Sequence, residues 1–408
     1  MGRIRAFVQD DIPRVAELNW QFLQGQTGPH PPRLEEYLRQ VFFQNPWFDS
    51  SIGSLVYEEG QRRVVGFLGI VPRPMSVNGR PVQAAFGSGL VVHPESRWAL
   101  PGPQLLAAFM NGKQDLAMTD TANGLSQQIW VGLGGSTSAA YGLQWARPLR
   151  LGSYALYAMS RFGREGSSGA GGRACEVLHK AVNSVATRIP LRRFRRPSTV
   201  ATEEELEIDT LLHSCLPGCS ADYSLRPEYN RESLGWLLDF MSRMKAYGNL
   251  RKVALRDATK EIIGWFIYYV KRGGIAEVVQ VGATKVHMKT VLDHLACDAW
   301  NHGAIGLHGR LEIRHAQDLS ESRCFFWGSI PLLFRARNPE LAKLVQQGDA
   351  FLSRLDGEWC LRFGPSGQEC TSATPNLLSG KESSSPAIKS AAPGNFQPSQ
   401  AAQARSAK

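Results

Sequence analysis

The sequence lacks any run of eighteen or more apolar residues, and such a run is what a membrane-spanning helix requires. It also lacks the apolar core of a secretory signal, since Asp10 and Asp11 already interrupt the N-terminal stretch,. We therefore expect neither membrane insertion nor secretion. Hydrophobic residues make up 43% of the 408 residues, which excludes general disorder and predicts two domains with separate cores.

Cysteines are few and do not form a pattern. There are seven, an odd number, and they are scattered along the chain. This distribution argues against a disulfide scaffold and predicts a reducing, cytoplasmic location. Only His213, Cys215 and Cys219 lie close together in sequence. Three ligands without a fourth do not make a structural metal site, so we predict no metal.

The excess of positive charge is confined to two stretches. The chain carries a formal charge of +10, yet residues 164–196 hold eight basic residues against two acidic ones, and residues 371–408 hold four against one. The remainder is nearly neutral. Because nucleic-acid binding needs a basic face on the folded protein, we expect no nucleic-acid partner. The run Arg192–Arg196 is either simply solvated or contacts an acidic partner or membrane surface.

Apolar periodicity and turn signals predict the elements of the first half. The strongest turn signal is Asn78-Gly79, which lies between two apolar runs and is typical of a β-hairpin,. The expected elements are helices at 9–24 and 32–43, strands at 54–57, 64–77, 81–92 and 115–122, and a helix from Asn123. This order predicts an α/β (α+β layered) unit.

The second half repeats this order with little shared sequence. Residues 251–283 are typical of three strands joined by turns, 287–303 of a helix, and 304–309 of a strand. Composition places a flexible glycine-rich linker before this unit and a polar, disordered tail after it. The predicted domains are 1–160, a flexible basic linker with a short helix at 161–200, a second domain at 201–370, and the tail at 371–408.

The stretch from Val91 to Phe109 runs from a strand through a proline-rich loop into a helix. Arg97 and Gly102 lie in this loop, with Gly102 between Pro101 and Pro103. Because a helix N-terminus presents unpaired N–H groups and a positive dipole, such a loop can hold a phosphate. It can equally be an ordinary strand-to-helix connection in which proline and glycine only set the turn.

Two motifs give the first 150 residues their resemblance to the GNAT superfamily of acyl-CoA-dependent N-acetyltransferases. The family's phosphate loop has the pattern Q/R-x-x-G-x-G/A, which Arg97 and Gly102 match, with Leu100 at the middle glycine. The helix after the family's fifth strand begins N-x-x-A/S and continues to a tyrosine and a glycine. Asn123, Ser126 and Gly134 fit this pattern, and Trp130 stands at the tyrosine position.

The resemblance implies tandem GNAT-like domains, each a mixed, mostly antiparallel sheet flanked by helices, with a degenerate second half. It implies acetyl-CoA as the co-substrate and no metal. The strand backbone at Leu90, Val91 and Val92 would align the pantetheine arm. The other implied contacts to the co-substrate are Arg97, Trp98, Ala99, Leu100, Gly102, Asn123, Ser126 and Trp130.

Acyl transfer to an amine requires deprotonation of the amine, polarisation of the thioester and protonation of the thiolate. Residues 81–92 contain no carboxylate, so the candidates for the base are Glu95 and Asp120, and Tyr141 is a candidate acid. None is assigned. The segment Asp356–Trp359 is predicted to be a hairpin turn without a catalytic role.

Three functions fit these observations. The first is an N-acyltransferase that moves an acetyl or other acyl group to a small-molecule or peptide amine. The second is a non-catalytic acyl-CoA-binding protein, which Leu100, Trp130 and the missing base favour. The third is a tRNA-dependent aminoacyl-transferase of the peptidoglycan-building kind, which the neutral cores oppose. The sequence specifies neither the acceptor nor an oligomeric state.

Overall fold

Two mixed β-sheets form the framework of the protein in the computed structural model, which describes residues 2–162, 201–284 and 286–361. The first sheet has the order β1-β2-β3-β4-β5-β15-β6, with β9 added to β3, and the second has the order β14-β7-β13-β12-β11-β10-β8. The strands are β1 Arg3–Ala6, β2 Leu55–Glu59, β3 Arg63–Val77, β4 Arg80–Val92, β5 Leu116–Thr119, β6 Ser136–Ser138, β7 Leu143–Pro148, β8 Thr202–Glu205, β9 Leu225–Pro227, β10 Asn249–Arg256, β11 Ile262–Val270, β12 Ile275–Ala283, β13 Gly306–Arg310, β14 Phe325–Gly328 and β15 Leu332–Ala336.

Helices flank both sheets. They are α1 Ile12–Leu18, α2 Pro32–Phe42, α3 Pro101–Met110, α4 Gly124–Gly132, α5 Leu151–Phe162, α6 Ile208–Thr210, α7 Leu216–Ser220, α8 Arg231–Ser242, α9 Met288–Asn301, α10 Ala316–Glu321 and α11 Pro339–Gln346. Only β4–β5 and β12–β13 are parallel pairs, and the other strand pairs given for the described residues are antiparallel. The predicted fold class is confirmed.

The hairpin between β3 and β4 forms as the sequence predicts. Asn78 has φ of +50° and Gly79 has φ of +81°. Both values are typical of a primed turn, whose geometry matches the twist of the flanking strands. The predicted first helix is one helical stretch, in which α1 is followed by a π-helical turn at Asn19–Leu23. The predicted strand at 115–122 is shorter, because β5 ends at Thr119.

The sequence did not predict that the two halves exchange strands. β15 of the second half lies antiparallel to β5 in the first sheet. In return, β7 of the first half lies antiparallel to β13 in the second sheet. Each sheet is therefore completed by a strand from the other half. One hydrophobic core also contains residues of both halves, among them Phe42 of α2 and Leu237 of α8.

All described residues belong to one compact unit, Met1–Pro375. The predicted linker, 161–200, and the predicted tail, 371–408, lie outside the described residues, except that 161–162 form the end of α5. The proposed domain boundaries remain a prediction. Among the helices in the described ranges, none combines the length and apolar character needed to cross a bilayer.

Candidate functional site

Strands β4 and β5 stop pairing at one end of the first sheet, and we call the gap between them the first cleft. The strands are parallel neighbours, but their register stops at Phe86 and Met118. β5 ends one residue later at Thr119, whereas β4 continues to Val92. Beyond Phe86, the β4 edge that faces β5 thus has no strand partner in the described part of the chain. Its backbone N–H and C=O groups are available to an extended ligand.

A β-bulge bends β4 at the opening of this cleft. The β3–β4 register shifts between Phe67 and Gly69 on the β3 side. On the β4 side, Gly89 has φ of +62°, a left-handed conformation that glycine adopts without steric cost. The predicted ligand-aligning residues Leu90–Val92 follow the bulge, on the edge that β5 leaves uncovered.

The loop from β4 to α3 contains a left-handed leucine. A 3-10 helix covers Pro94–Ala99, and Leu100 then has φ +53° and ψ +47° directly before α3. For a residue other than glycine this conformation costs on the order of 1 kcal/mol. Leu100 thus keeps the backbone conformation that favours glycine, and its side chain is 60% exposed. The replacement of the motif's middle glycine leaves the left-handed turn intact.

Gly102 lies in the first turn of α3, between two prolines that have no N–H to offer,. An added Cβ there would contact only Val92 Cγ2, at 3.8 Å, and Gly102 does not have a left-handed φ. Neither packing nor backbone conformation therefore demands glycine at this position, whereas close approach of a ligand would. Arg97 and Trp98 of the same loop are exposed, Trp98 by 81%.

The predicted motif on α4 divides into a cap and a core residue. Asn123 accepts a hydrogen bond from the Ser126 N–H at 2.9 Å and so caps the helix,. Trp130 is fully buried, and its indole N–H donates to the carbonyl of Phe334 on β15 at 3.3 Å. This position inside the core is the reason that we leave Trp130 out of the proposed site.

The replacement Trp130→Phe tests this assignment. The change leaves the Phe334 carbonyl without its donor, and we expect a loss of about 1–3 kcal/mol in the free energy of unfolding. Acetyl-CoA affinity, measured by calorimetric titration, should stay within about twofold of the wild type. A tenfold loss of acetyl-CoA affinity in the folded variant would show that Trp130 contributes to ligand binding.

The structure separates the predicted catalytic candidates. The side chain of Glu95 is 80% exposed. Tyr141 is buried, where its hydroxyl donates to the carbonyl of Ala350 at 2.9 Å and accepts from the N–H of the same residue at 3.0 Å. Loss of hydration raises the pKa of Tyr141 well above its usual value. A phenol with both hydrogen bonds satisfied in the core is a structural residue.

Asp120 follows β5 directly and is bound from two sides. Its side chain is 1% exposed and accepts from Arg310 Nη2 at 2.6 Å. Its other oxygen accepts the backbone N–H of Glu358 at 3.1 Å. Glycine is required at 357, because a Cβ there would lie 2.1 Å from Asp120 Oδ2. Asp120 is therefore a link between β5, β13 and the segment around Glu358.

The carboxylate that the sequence did not identify is Glu358. The segment Asp356–Trp359 is not a hairpin, because a 3-10 helix covers Glu358–Leu361. Ser88 Oγ of β4 donates to Glu358 Oε1 at 2.9 Å, and the Thr121 hydroxyl, just after β5, donates to Oε2. Glu358 thus connects the two strands that border the cleft, and its side chain is only partly buried.

Helix α2 borders the same region from the other side. Loss of hydration and, next in size, the negative charge of Glu358 raise the pKa of Tyr37 well above its usual value. The phenol therefore stays protonated at neutral pH. At the mouth of the cleft, burial and then the charge of Arg63 lower the pKa of His93, which favours a neutral imidazole beside the loop.

Comparison with solved structures supports the architecture. A probable N-acyltransferase from Enterococcus faecalis aligns over 82% of this chain and 72% of its own, with 11% identity and a TM-score of 0.53. A GCN5-related N-acetyltransferase from Anabaena variabilis aligns over 83% and 73%, with 12% identity and a TM-score of 0.53. The chain has the GNAT fold. No protein-family model and no curated protein matches the sequence.

In this GNAT fold, the described residues contain no group of three or more His, Cys, Asp or Glu side chains that could hold a metal ion. The first cleft is bordered by the β4 backbone, the hydroxyl groups of Ser88 and Thr121, and the Glu358 carboxylate. Such a set can align an extended ligand, accept a proton and donate hydrogen bonds.

Proposed function

We propose that the protein transfers an acetyl group from acetyl-CoA to the amine of a small molecule or peptide. The observation that carries the proposal is the position of Glu358, bound to Ser88 on one side of the cleft and to Thr121 on the other. A partly buried carboxylate that borders the cleft is suited to accept the proton of an attacking amine,.

The backbone supplies the binding surface in this proposal. Leu90–Val92 lie on the part of β4 that β5 does not cover, so their amide groups align the pantetheine arm and polarise the thioester carbonyl. The N-terminus of α3, with the Gly102 N–H, receives the pyrophosphate. Arg97 adds a mobile positive charge at the exposed edge of this loop.

The chemical step needs no further group to balance. The amine nitrogen forms a bond to the thioester carbon, Glu358 accepts the proton that the nitrogen loses, and the carbon–sulfur bond breaks. The sulfur leaves as a thiolate. It then takes the proton from Glu358, which returns Glu358 to its carboxylate form. The products are an amide and free CoA.

The substitution Gly102→Glu tests the binding part. The new carboxylate would lie against a diphosphate at a helix N-terminus, where negative charges repel each other. We expect acetyl-CoA affinity to fall at least about tenfold, roughly 1.4 kcal/mol. Gly102 is buried, but an added Cβ there would contact only Val92, at 3.8 Å. Calorimetric titration measures the affinity, and circular dichroism checks the fold.

The matched control is Gly235→Glu in α8, where a Cβ would contact only Ile208 at 3.6 Å. It should leave affinity unchanged. Gly282, on the corresponding strand of the second half, is no control, because Trp265 lies 2.4 Å from a Cβ at that position.

If the wild type binds no acyl-CoA at millimolar concentration, the proposed function is wrong. If it binds acetyl-CoA but releases no thiol with any primary amine of a broad panel, it is a binding protein.

A further inference from the structure

The second sheet contains an equivalent gap between its two parallel strands, β12 and β13, which we call the second cleft. β12 and β13 are parallel, and their register stops at Val278 and Gly309. β12 continues to Ala283, as β4 continues past its last pair with β5. The two clefts thus occupy equivalent positions, between the parallel strands of each sheet. Their contents differ.

The second cleft is filled by the chain itself. Leu352, Ser353 and Arg354 line a small cavity there together with residues 278–281 of β12, and its volume is about 30 Å³. That volume holds one or two water molecules. Ser353 Oγ accepts a hydrogen bond from Gln280 of β12 at 3.1 Å.

Arg354 binds this segment to three strands, β12, β7 and, through the carbonyl of His308 at 3.5 Å, β13. Its Nη1 donates to Glu277 Oε2 at 2.8 Å and to the carbonyl of Val278 at 3.2 Å, both on β12. Its Nη2 donates to Gln144 Oε1 of β7 at 2.8 Å. The side chain is 8% exposed, so these charge-assisted bonds are shielded from water and correspondingly strong.

The same arginine reaches the neighbour of the proposed base. The Arg354 guanidinium lies 4.9 Å from the ring centre of Trp359, and Trp359 directly follows Glu358. Between them, Asp356 accepts hydrogen bonds from the Ser353 N–H at 2.6 Å and Oγ at 2.7 Å, which closes a tight turn. Three residues, 355–357, therefore connect Arg354 in the second cleft to Glu358 in the first.

We propose that the second cleft binds residues 352–354 as an internal ligand, and that Arg354 is a positioning residue that holds Glu358 at the first cleft. The second half then contributes to catalysis by fixing the base, without binding a substrate of its own. This inference rests on the proposed function for its kinetic consequence. Its structural part, the anchoring of the segment 352–361, stands independently.

The test compares Arg354→Gln with Glu358→Gln and the double variant. The readout is thiol release from acetyl-CoA with whichever primary amine gives the fastest wild-type rate. Arg354→Gln should lower kcat at least about tenfold and change the KM for acetyl-CoA less than twofold. Added to Glu358→Gln, the Arg354→Gln change should not lower kcat further, because the effects of residues that act through each other do not add. Arg354→Lys, which keeps the charge, should recover part of kcat.

Arg147→Gln is the matched control, since Arg147 lies on β7 of the same sheet and forms an ion pair with Asp293 of α9 at 2.9 Å. It should leave kcat unchanged. Hydrogen exchange gives a second readout that needs no activity: amides of 356–361 should lose protection in Arg354→Gln and keep it in Arg147→Gln.

An unchanged kcat, an additive loss in the double variant, or unchanged exchange at 356–361 would overturn the inference. If the proposed function is wrong, the wild type itself releases no thiol, and this result is distinguishable from the three outcomes above. The exchange experiment would still decide whether the second cleft anchors the segment.

Discussion

Replacing Glu358 with glutamine should lower kcat about 100-fold or more while acetyl-CoA affinity stays within about twofold of the wild type. Glutamine has nearly the same shape and can still accept from one of the two hydroxyl groups that hold the carboxylate, Ser88 and Thr121. It cannot accept a proton from an amine. We therefore expect kcat to fall and acetyl-CoA affinity to stay nearly unchanged.

Steady-state thiol release and calorimetry on the same protein separate these two quantities. Glu95→Gln is the natural control, because Glu95 lies in the loop from β4 to α3 and its side chain is 80% exposed. It should keep kcat. Equal, small effects of both substitutions would remove Glu358 from the mechanism and favour a binding function.

The second large effect concerns stability. Arg310→Met should reduce the free energy of unfolding by about 3–5 kcal/mol, because it leaves the carboxylate of Asp120 buried without its cation. The side chains of this pair are 9% and 1% exposed. Asp120 also accepts the Glu358 N–H, so kcat should fall together with stability.

Urea unfolding measures the stability change. The double variant Asp120→Leu with Arg310→Met should regain much of it, because two apolar side chains remove both the charge and its partner. Turnover should not return with stability, since leucine at position 120 cannot accept the hydrogen bond from the Glu358 N–H. A double variant as unstable as Arg310→Met alone would contradict the ion-pair explanation.

Local signals were sufficient for much of the fold. The Asn78-Gly79 turn, the apolar spacing of α2 and the cap at Asn123 each act within a few residues, and each element forms at the predicted position. The strands β6, β7, β14 and β15 were not predicted. They have three to six residues, and β7 and β15 pair with strands that are more than a hundred residues away in sequence.

The candidate site divides in the same way. The loop from β4 to α3 is local, and its motif could be recognised even with Leu100 at a glycine position. Glu358 could not be found by such a motif, because Ser88 precedes it by 270 positions and nothing in the residues around it differs from a surface turn. A motif position also does not guarantee a site residue: Trp130 stands at the motif's tyrosine position, yet the structure places it in the core.

The exchange of strands also bears on how the chain is made. β5 cannot acquire its neighbour β15 until residues 332–336 have been synthesised, about 200 residues later and, at common elongation rates, roughly 10–40 s afterwards. During that interval an edge of the first sheet is bare, and bare strand edges promote pairing between molecules. Production of the protein should therefore depend on chaperones that shield nascent chains, and more so in fast, crowded expression.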